Sequence, residues 1–219
     1  MNVRVKPLLT FVALSVVLAI FWDHPLVWPL KILVVLFHEL GHAAMAWLTG
    51  GEVVSIGLSP DQGGVTYTRG GWRIAILNAG YLGSLGFGVG LLAAARTETG
   101  ARTGAYGLAV LLAGVSLWFV RPLLSFGFAF SALSAALLWG FARRASSDVN
   151  QLAVRGLGVF SVMYAVWDIR SDILWSSNTT SDAAKLAELT WIPATVWGFA
   201  WLGLGLATLV ATRHWWFRA

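Results

Sequence analysis

The sequence predicts an all-α polytopic membrane protein of about seven transmembrane helices, with one short β-hairpin after the second. Three observations carry this. Of 219 residues 58% are hydrophobic and 11% charged, with a mean hydropathy of +0.73, too apolar for a soluble domain. Apolar runs of about twenty residues recur, the length that crosses a hydrocarbon core at helical rise. Many tryptophans, among them Trp22, Trp28, Trp47, Trp72, Trp175 and Trp191, fall at the ends of those runs, where indole rings favour the headgroup layer. The formal charge of +5 suits a lipid surface, and no basic patch with interleaved aromatics points to nucleic acid.

A basic start at Arg4 and Lys6 precedes the first span, Pro7 to Trp22. Its exit through Asp23-His24-Pro25 lacks the small residues that a signal peptidase requires, so the span is read as retained. Span two runs from Trp28 to Leu48 and stops at Thr49-Gly50-Gly51. β-Branched residues then alternate from Val53 to Leu58, Ser59 to Gly64 turns, and Val65 to Thr68 returns, which reads as a hairpin. Span three, Trp72 to Ala95, carries glycines at 80, 83, 86, 88 and 90 that suit close helix packing.

A polar loop from Arg96 to Thr103 leads to spans four and five. These fill Gly104 to Phe141 and divide at Arg121-Pro122, because the run is nearly double one crossing. After a polar connector from Arg143 to Asn150, span six covers about Gly156 to Trp175. The connector Ser176 to Thr190 holds a short helical stretch around Asp182 to Leu189, and span seven is Trp191 to Thr212. With no internal repeat and no low-complexity linker, residues 1–219 are read as one membrane domain. Arginines and lysines divide evenly between the two sides, so charge leaves the orientation open.

Span two contains His38-Glu39-Leu40-Gly41-His42, an HExxH motif. On a helix the two histidines lie one turn apart on one face, where both imidazoles can grip one Zn²⁺, with Glu39 beside them as a candidate general base. His38 is about 15 Å from either end of the span, so the chemistry would sit well within the bilayer. Cysteine is absent, which leaves His, Asp and Glu as zinc ligands. The bland alternative, polar groups satisfied by neighbouring helices, needs three costly residues at metal-site spacing without a metal.

A second polar cluster, Asp168-Ile169-Arg170-Ser171-Asp172, lies in span six, with Asp168 and Asp172 on one face and Tyr164 one turn earlier. Spans two and six run parallel. Counted back from Trp47 and Trp175, Asp168 lies level with the histidines. Asp172, one turn nearer the edge, is either a carboxylate steadying a ligating histidine, an alternative ligand or the partner of Arg170. The hairpin is either a plain surface loop or a strand edge to which an extended peptide adds, with Val65 and Tyr67 as candidate substrate contacts.

These residues resemble the site-2 protease family of intramembrane zinc metalloproteases, especially its small bacterial branch without a PDZ domain. The resemblance rests on the HExxH span, the Gly-rich hairpin, Ala79-Gly80-Tyr81-Leu82-Gly83-Ser84 and the late aspartate. It implies zinc held by His38, His42 and Asp168, water activated by Glu39, a transmembrane protein substrate, and a place in the bacterial inner membrane. Two departures stand out. Ser84 occupies the position of the family's usual asparagine and would inherit its polar role, and Asp168 is followed by Ile169 where a Leu-Asp-Gly pattern is usual. The expected activity is hydrolysis of peptide bonds within or near a transmembrane segment. The alternatives are a non-catalytic zinc-binding membrane scaffold, an ion transporter using the same polar residues, or a degenerate protease that binds without cutting.

Overall fold

The computed structural model describes residue 16 and residues 20–22, 24–174 and 181–215, with the backbone alone for 170–174. The first expected span falls mostly outside these residues. The others are present as α1 (Trp28–Leu48), α2 (Arg73–Ala94), α3 (Glu98–Trp118), α4 (Phe126–Arg144), α5 (Ser147–Leu174) and α7 (Ala194–Thr212). Among the described residues these six helices are long and apolar enough to cross a membrane. Between α1 and α2 lies the hairpin β1 (Glu52–Leu58) and β2 (Gly64–Arg69), and between α5 and α7 the short helix α6 (Asp182–Thr190). A single 3-10 turn, Arg213–Trp215, follows α7.

Two stretches expected as polar connectors belong largely to helices, since α3 begins at Glu98 and α5 at Ser147. The Thr97 side chain caps α3 by accepting from the Gly100 N–H. Polar residues in a first helical turn satisfy free N–H groups and favour the helix dipole, so low hydropathy marks where a helix leaves lipid, not where it starts.

Helix α1 is the centre of the molecule: 72% of its most apolar window is buried, against 22% for α4 and α7, which therefore form the outer wall. Pro29 is tolerated because its missing N–H falls in the first turn. The helix ends in a Schellman arrangement, with Gly51 N–H donating to the Ala46 carbonyl at 2.8 Å, Gly50 N–H to Trp47 at 3.1 Å, and Gly50 in the left-handed region at φ +80°. Along α1, Gly41 meets Ala79 and Gly83 of α2, and a Cβ on either glycine would collide with the other helix's backbone. That contact brings the motif helix and α2 together at backbone distance.

The hairpin packs along α1, with Val65 and Tyr67 left exposed. It leaves α1 at its C-terminal end, yet the Trp28 indole N–H at the N-terminal end donates to the carbonyl of Pro60 in the hairpin turn at 2.8 Å. The two strands therefore run back along the whole helix, at the depth of the span. Strand backbone is tolerated there only where protein or a cavity satisfies it. Part of that requirement is met by the segment after α3. The Ile56 N–H donates to Phe119 C=O at 2.8 Å, and the Ile56 carbonyl accepts from Arg121 N–H at 3.1 Å.

Helix α6 is too short to cross. Its N-terminus is capped by Ser181, whose hydroxyl accepts from Ala184 N–H at 3.2 Å. Ala183 and Leu186 are buried in a cluster with Leu77 and Tyr81 of α2, Ile169 of α5 and Trp201 of α7. This packing turns the first residue of α6 towards α1.

Candidate metal centre

Helical spacing places His38 and His42 on one face of α1, with ring centroids 4.7 Å apart. The carboxylate that meets them is Asp182, the first residue of α6. Its Oδ2 lies 3.0 Å from His38 Nε2 and 3.0 Å from His42 Nε2. The donor atoms of the three residues all fall within 4.8 Å of one another. Ligands of tetrahedral zinc at about 2.0–2.1 Å sit roughly 3.3 Å apart, so two imidazoles and one carboxylate with this spacing suit the ion and leave a fourth position open.

The tautomer of His42 strengthens the fit. Its Nδ1 lies 2.6 Å from the Ile76 carbonyl oxygen, which can only accept, so the proton of the neutral ring is on Nδ1. Nε2 then points a lone pair at a carboxylate oxygen, an arrangement that calls for a cation between them. Without the metal and with the imidazoles protonated, burial pushes the Asp182 carboxyl up, but hydrogen bonds and charge from His38 and His42 outweigh burial and hold it far below the usual carboxylate range. Lys185, one turn along α6, adds a positive charge 3.7 Å from the other oxygen, Oδ1.

Glu39 is buried beside the histidines, and Thr66 of β2 holds it. The Thr66 hydroxyl donates to Glu39 Oε2 at 2.6 Å and lies 3.0 Å from the Glu39 main-chain carbonyl. Two glycines give the machinery its room. A Cβ at Gly64 would collide with the Glu39 carboxylate and with Val35, and a Cβ at Gly80 would collide with both His38 and His42. The Tyr81 ring stands edge-on to His38 at 4.7 Å and packs on Trp201 at 4.7 Å, which steadies the imidazole from the α7 side.

These groups open into a cavity of about 920 Å³, lined by His38, Glu39, His42, residues 62–68 of the hairpin, Asp168, Asp182 and Lys185 among others. The strand register identifies the edge that faces it. Ile56 directs its backbone groups away from β2. Opposed residues of an antiparallel pair turn their backbone groups the same way, both inward or both outward. Thr66, opposite Ile56, therefore turns its N–H and C=O outward, as do Gly64 and Thr68 two positions away. The β1 side is partly covered by the segment at 119–121, and among the described residues β2 is the free edge.

Of the residues singled out from sequence, His38, His42, Glu39, Val65 and Tyr67 all line the cavity. Asp168 lines it too, as its depth predicted, but the carboxylate in contact with both histidines is Asp182. The reason is reach. Helix α6 folds in end-on, seated by Ala183 and Leu186, and delivers its first side chain to both histidines. Ser84 is 2% exposed and points elsewhere: its hydroxyl faces the Val34 carbonyl at 3.4 Å, and its own carbonyl accepts from Ser161 at 2.8 Å. Asn78 accepts from the Trp201 indole at 3.0 Å. The side chain of Asp172 lies outside the described residues. Asp182 begins the short helical stretch expected from the sequence, but is not among the residues singled out there. The signal the sequence offers is the apolar pair Ala183 and Leu186 beside it, which the structure buries and which makes that turn an inward-facing one.

A family model described as Peptidase M50B-like matches residues 11–212, which takes in every residue of the centre. No curated protein and no solved structure matches the chain.

Proposed function

The chain belongs to the Peptidase M50B-like family, and from that premise we propose that it is an intramembrane zinc metalloprotease. Its reaction is hydrolysis of a peptide bond within or near a transmembrane segment of a membrane-protein substrate. The observation that carries this reading is the convergence of His38, His42 and Asp182 beside a buried, hydrogen-bonded Glu39 in a cavity edged by a free strand.

His38, His42 and Asp182 would hold the zinc, which when bound polarises a peptide carbonyl and lowers the pKa of a water at the open position. Glu39 takes the proton of that water through the carboxylate oxygen not engaged by Thr66, and passes it to the leaving amine. A helical substrate hides its peptide groups, so it must unwind before attack. Pairing with the outward N–H and C=O groups of Gly64, Thr66 and Thr68 offsets the helical hydrogen bonds lost, while Val65 and Tyr67 present side chains on the opposite face. The six apolar helices support a multi-pass integral membrane protein, and the resemblance to the small bacterial branch of the site-2 proteases is what suggests a bacterial inner membrane as its place.

The test is zinc content and cleavage of a membrane-protein substrate by the detergent-purified protein and its Glu39→Gln variant. One equivalent of zinc in both, with cleavage lost in Glu39→Gln by roughly 10²–10⁴-fold, supports the reading. Absence of zinc after metal supply, or proteoliposome ion flux without proteolysis, overturns it in favour of a transporter or scaffold.

A further inference from the structure

Resting on that reading, we propose that Thr66 is a positioning residue that ties the orientation of Glu39 to the strand edge on which substrate is laid. Two independent features of one residue support this. The side chain faces α1, where its hydroxyl donates to Glu39 Oε2 at 2.6 Å. The backbone of the same residue lies opposite Ile56, which puts its N–H and C=O on the outer edge.

Three details make the contact more than incidental packing. First, a carboxylate on an exposed glutamate samples many rotamers, and here one oxygen is fixed by a charge-assisted hydrogen bond. Second, Gly64, two residues earlier on the same strand face, leaves space at the other oxygen, Oε1, where a side chain would intrude. The strand thus fixes one carboxylate oxygen and clears the other for water. Third, the hydroxyl also lies 3.0 Å from the Glu39 main-chain carbonyl, so Thr66 is registered against the backbone of α1 as well as the side chain.

A consequence for specificity follows. In an antiparallel addition, the substrate residue opposite Thr66 forms both ladder bonds with it and turns its side chain to the same face as Thr66. That residue is the one held nearest Glu39, so the scissile bond is adjacent to it. Side chains on either side of it lie with Val65 and Tyr67. A helical substrate that cannot pair in this register is bound without being presented to the base.

The test compares Thr66→Val and Thr66→Ser in the zinc-loaded protein. Thr66→Val keeps the shape and the strand edge and removes the hydroxyl, whereas Thr66→Ser restores it. With a quenched-fluorescence peptide bearing an apolar segment as the probe, kcat falls roughly 10–100-fold in Thr66→Val, with KM within about two-fold, and recovers in Thr66→Ser. Zinc content stays at the wild-type level in both. A second readout does not depend on turnover: the carboxylate stretching band of Glu39, isolated as the infrared difference between wild type and Glu39→Gln, shifts in Thr66→Val and returns in Thr66→Ser. An unchanged band in Thr66→Val overturns the proposal, as does a loss that Thr66→Ser does not repair. Failure of the protease reading shows separately, as absent zinc or a Glu39→Gln variant that still cuts.

Discussion

Asp182 Oδ2 lies 3.0 Å from His38 Nε2, a contact between residues 144 positions apart in the chain. The same oxygen is 3.0 Å from His42 Nε2. A helix too short to cross the membrane thus supplies the carboxylate, and the ligand assignment can be tested directly.

In Asp182→Ala, zinc affinity is expected to fall by more than the roughly 10–100-fold that an outer hydrogen-bond partner is worth. Asp168→Ala keeps one equivalent, because its carboxylate lines the cavity outside the group of donor atoms that His38, His42 and Asp182 form. Metal analysis after dialysis against a graded chelator separates them. Zinc lost from Asp168→Ala and kept in Asp182→Ala would return the third ligand to α5.

Two glycine-to-alanine changes separate metal binding from the base. Gly80→Ala drives a methyl into His38 and His42 and is expected to lose zinc and about 1–3 kcal/mol of stability. Gly64→Ala drives one against Glu39 and Val35, so zinc stays while cleavage drops. Zinc stoichiometry and turnover measured on both proteins check this pair, and equal zinc loss in the two would count against it.

Acid should empty the site. Protons compete with zinc for the imidazole nitrogens, so affinity falls as pH is lowered, by up to about two powers of ten per pH unit where both histidines must lose a proton to bind. Chelated protein follows a different course. Because the Asp182 carboxyl is held below its ordinary value of 3.8, its contribution to stability is present above that pH and is lost as pH falls from there towards the folded-state value. Thermal unfolding of chelated wild type and Asp182→Asn across acid pH checks the second statement: the gap between them narrows as pH falls.

Ser84→Ala is expected to leave zinc and cleavage close to wild type and to lower stability by about 0.5–1.5 kcal/mol at most, since the hydroxyl only faces the Val34 carbonyl at 3.4 Å between helices. A large fall in kcat with unchanged stability would show that Ser84 reaches the chemistry.

Much of the site was legible in local spacing. His38, Glu39 and His42 are neighbours because any α-helix brings positions i and i+4 to one face, and their place mid-span follows from hydropathy alone. Match of the family model over residues 11–212 bears out the resemblance those residues carry. The alternating run and turn also sufficed for the hairpin, whose strands appear at Glu52–Leu58 and Gly64–Arg69. Its direction did not follow, because tertiary contacts, Trp28 to Pro60 and Thr66 to Glu39, are what show that it runs back along α1.

What the sequence by itself determined was the membrane class, and the helical motif with its two histidines, Glu39 and their place along the span. These depend on periodicity and hydropathy, which act within one element. Tertiary structure decided which carboxylate closes the site and which strand edge faces it. Depth counting could place Asp168 level with the histidines, but it carries no information about lateral distance. That distance is set by packing between elements: Ala183 and Leu186 seat α6 against α2, α5 and α7, and the seat brings Asp182 to the histidines.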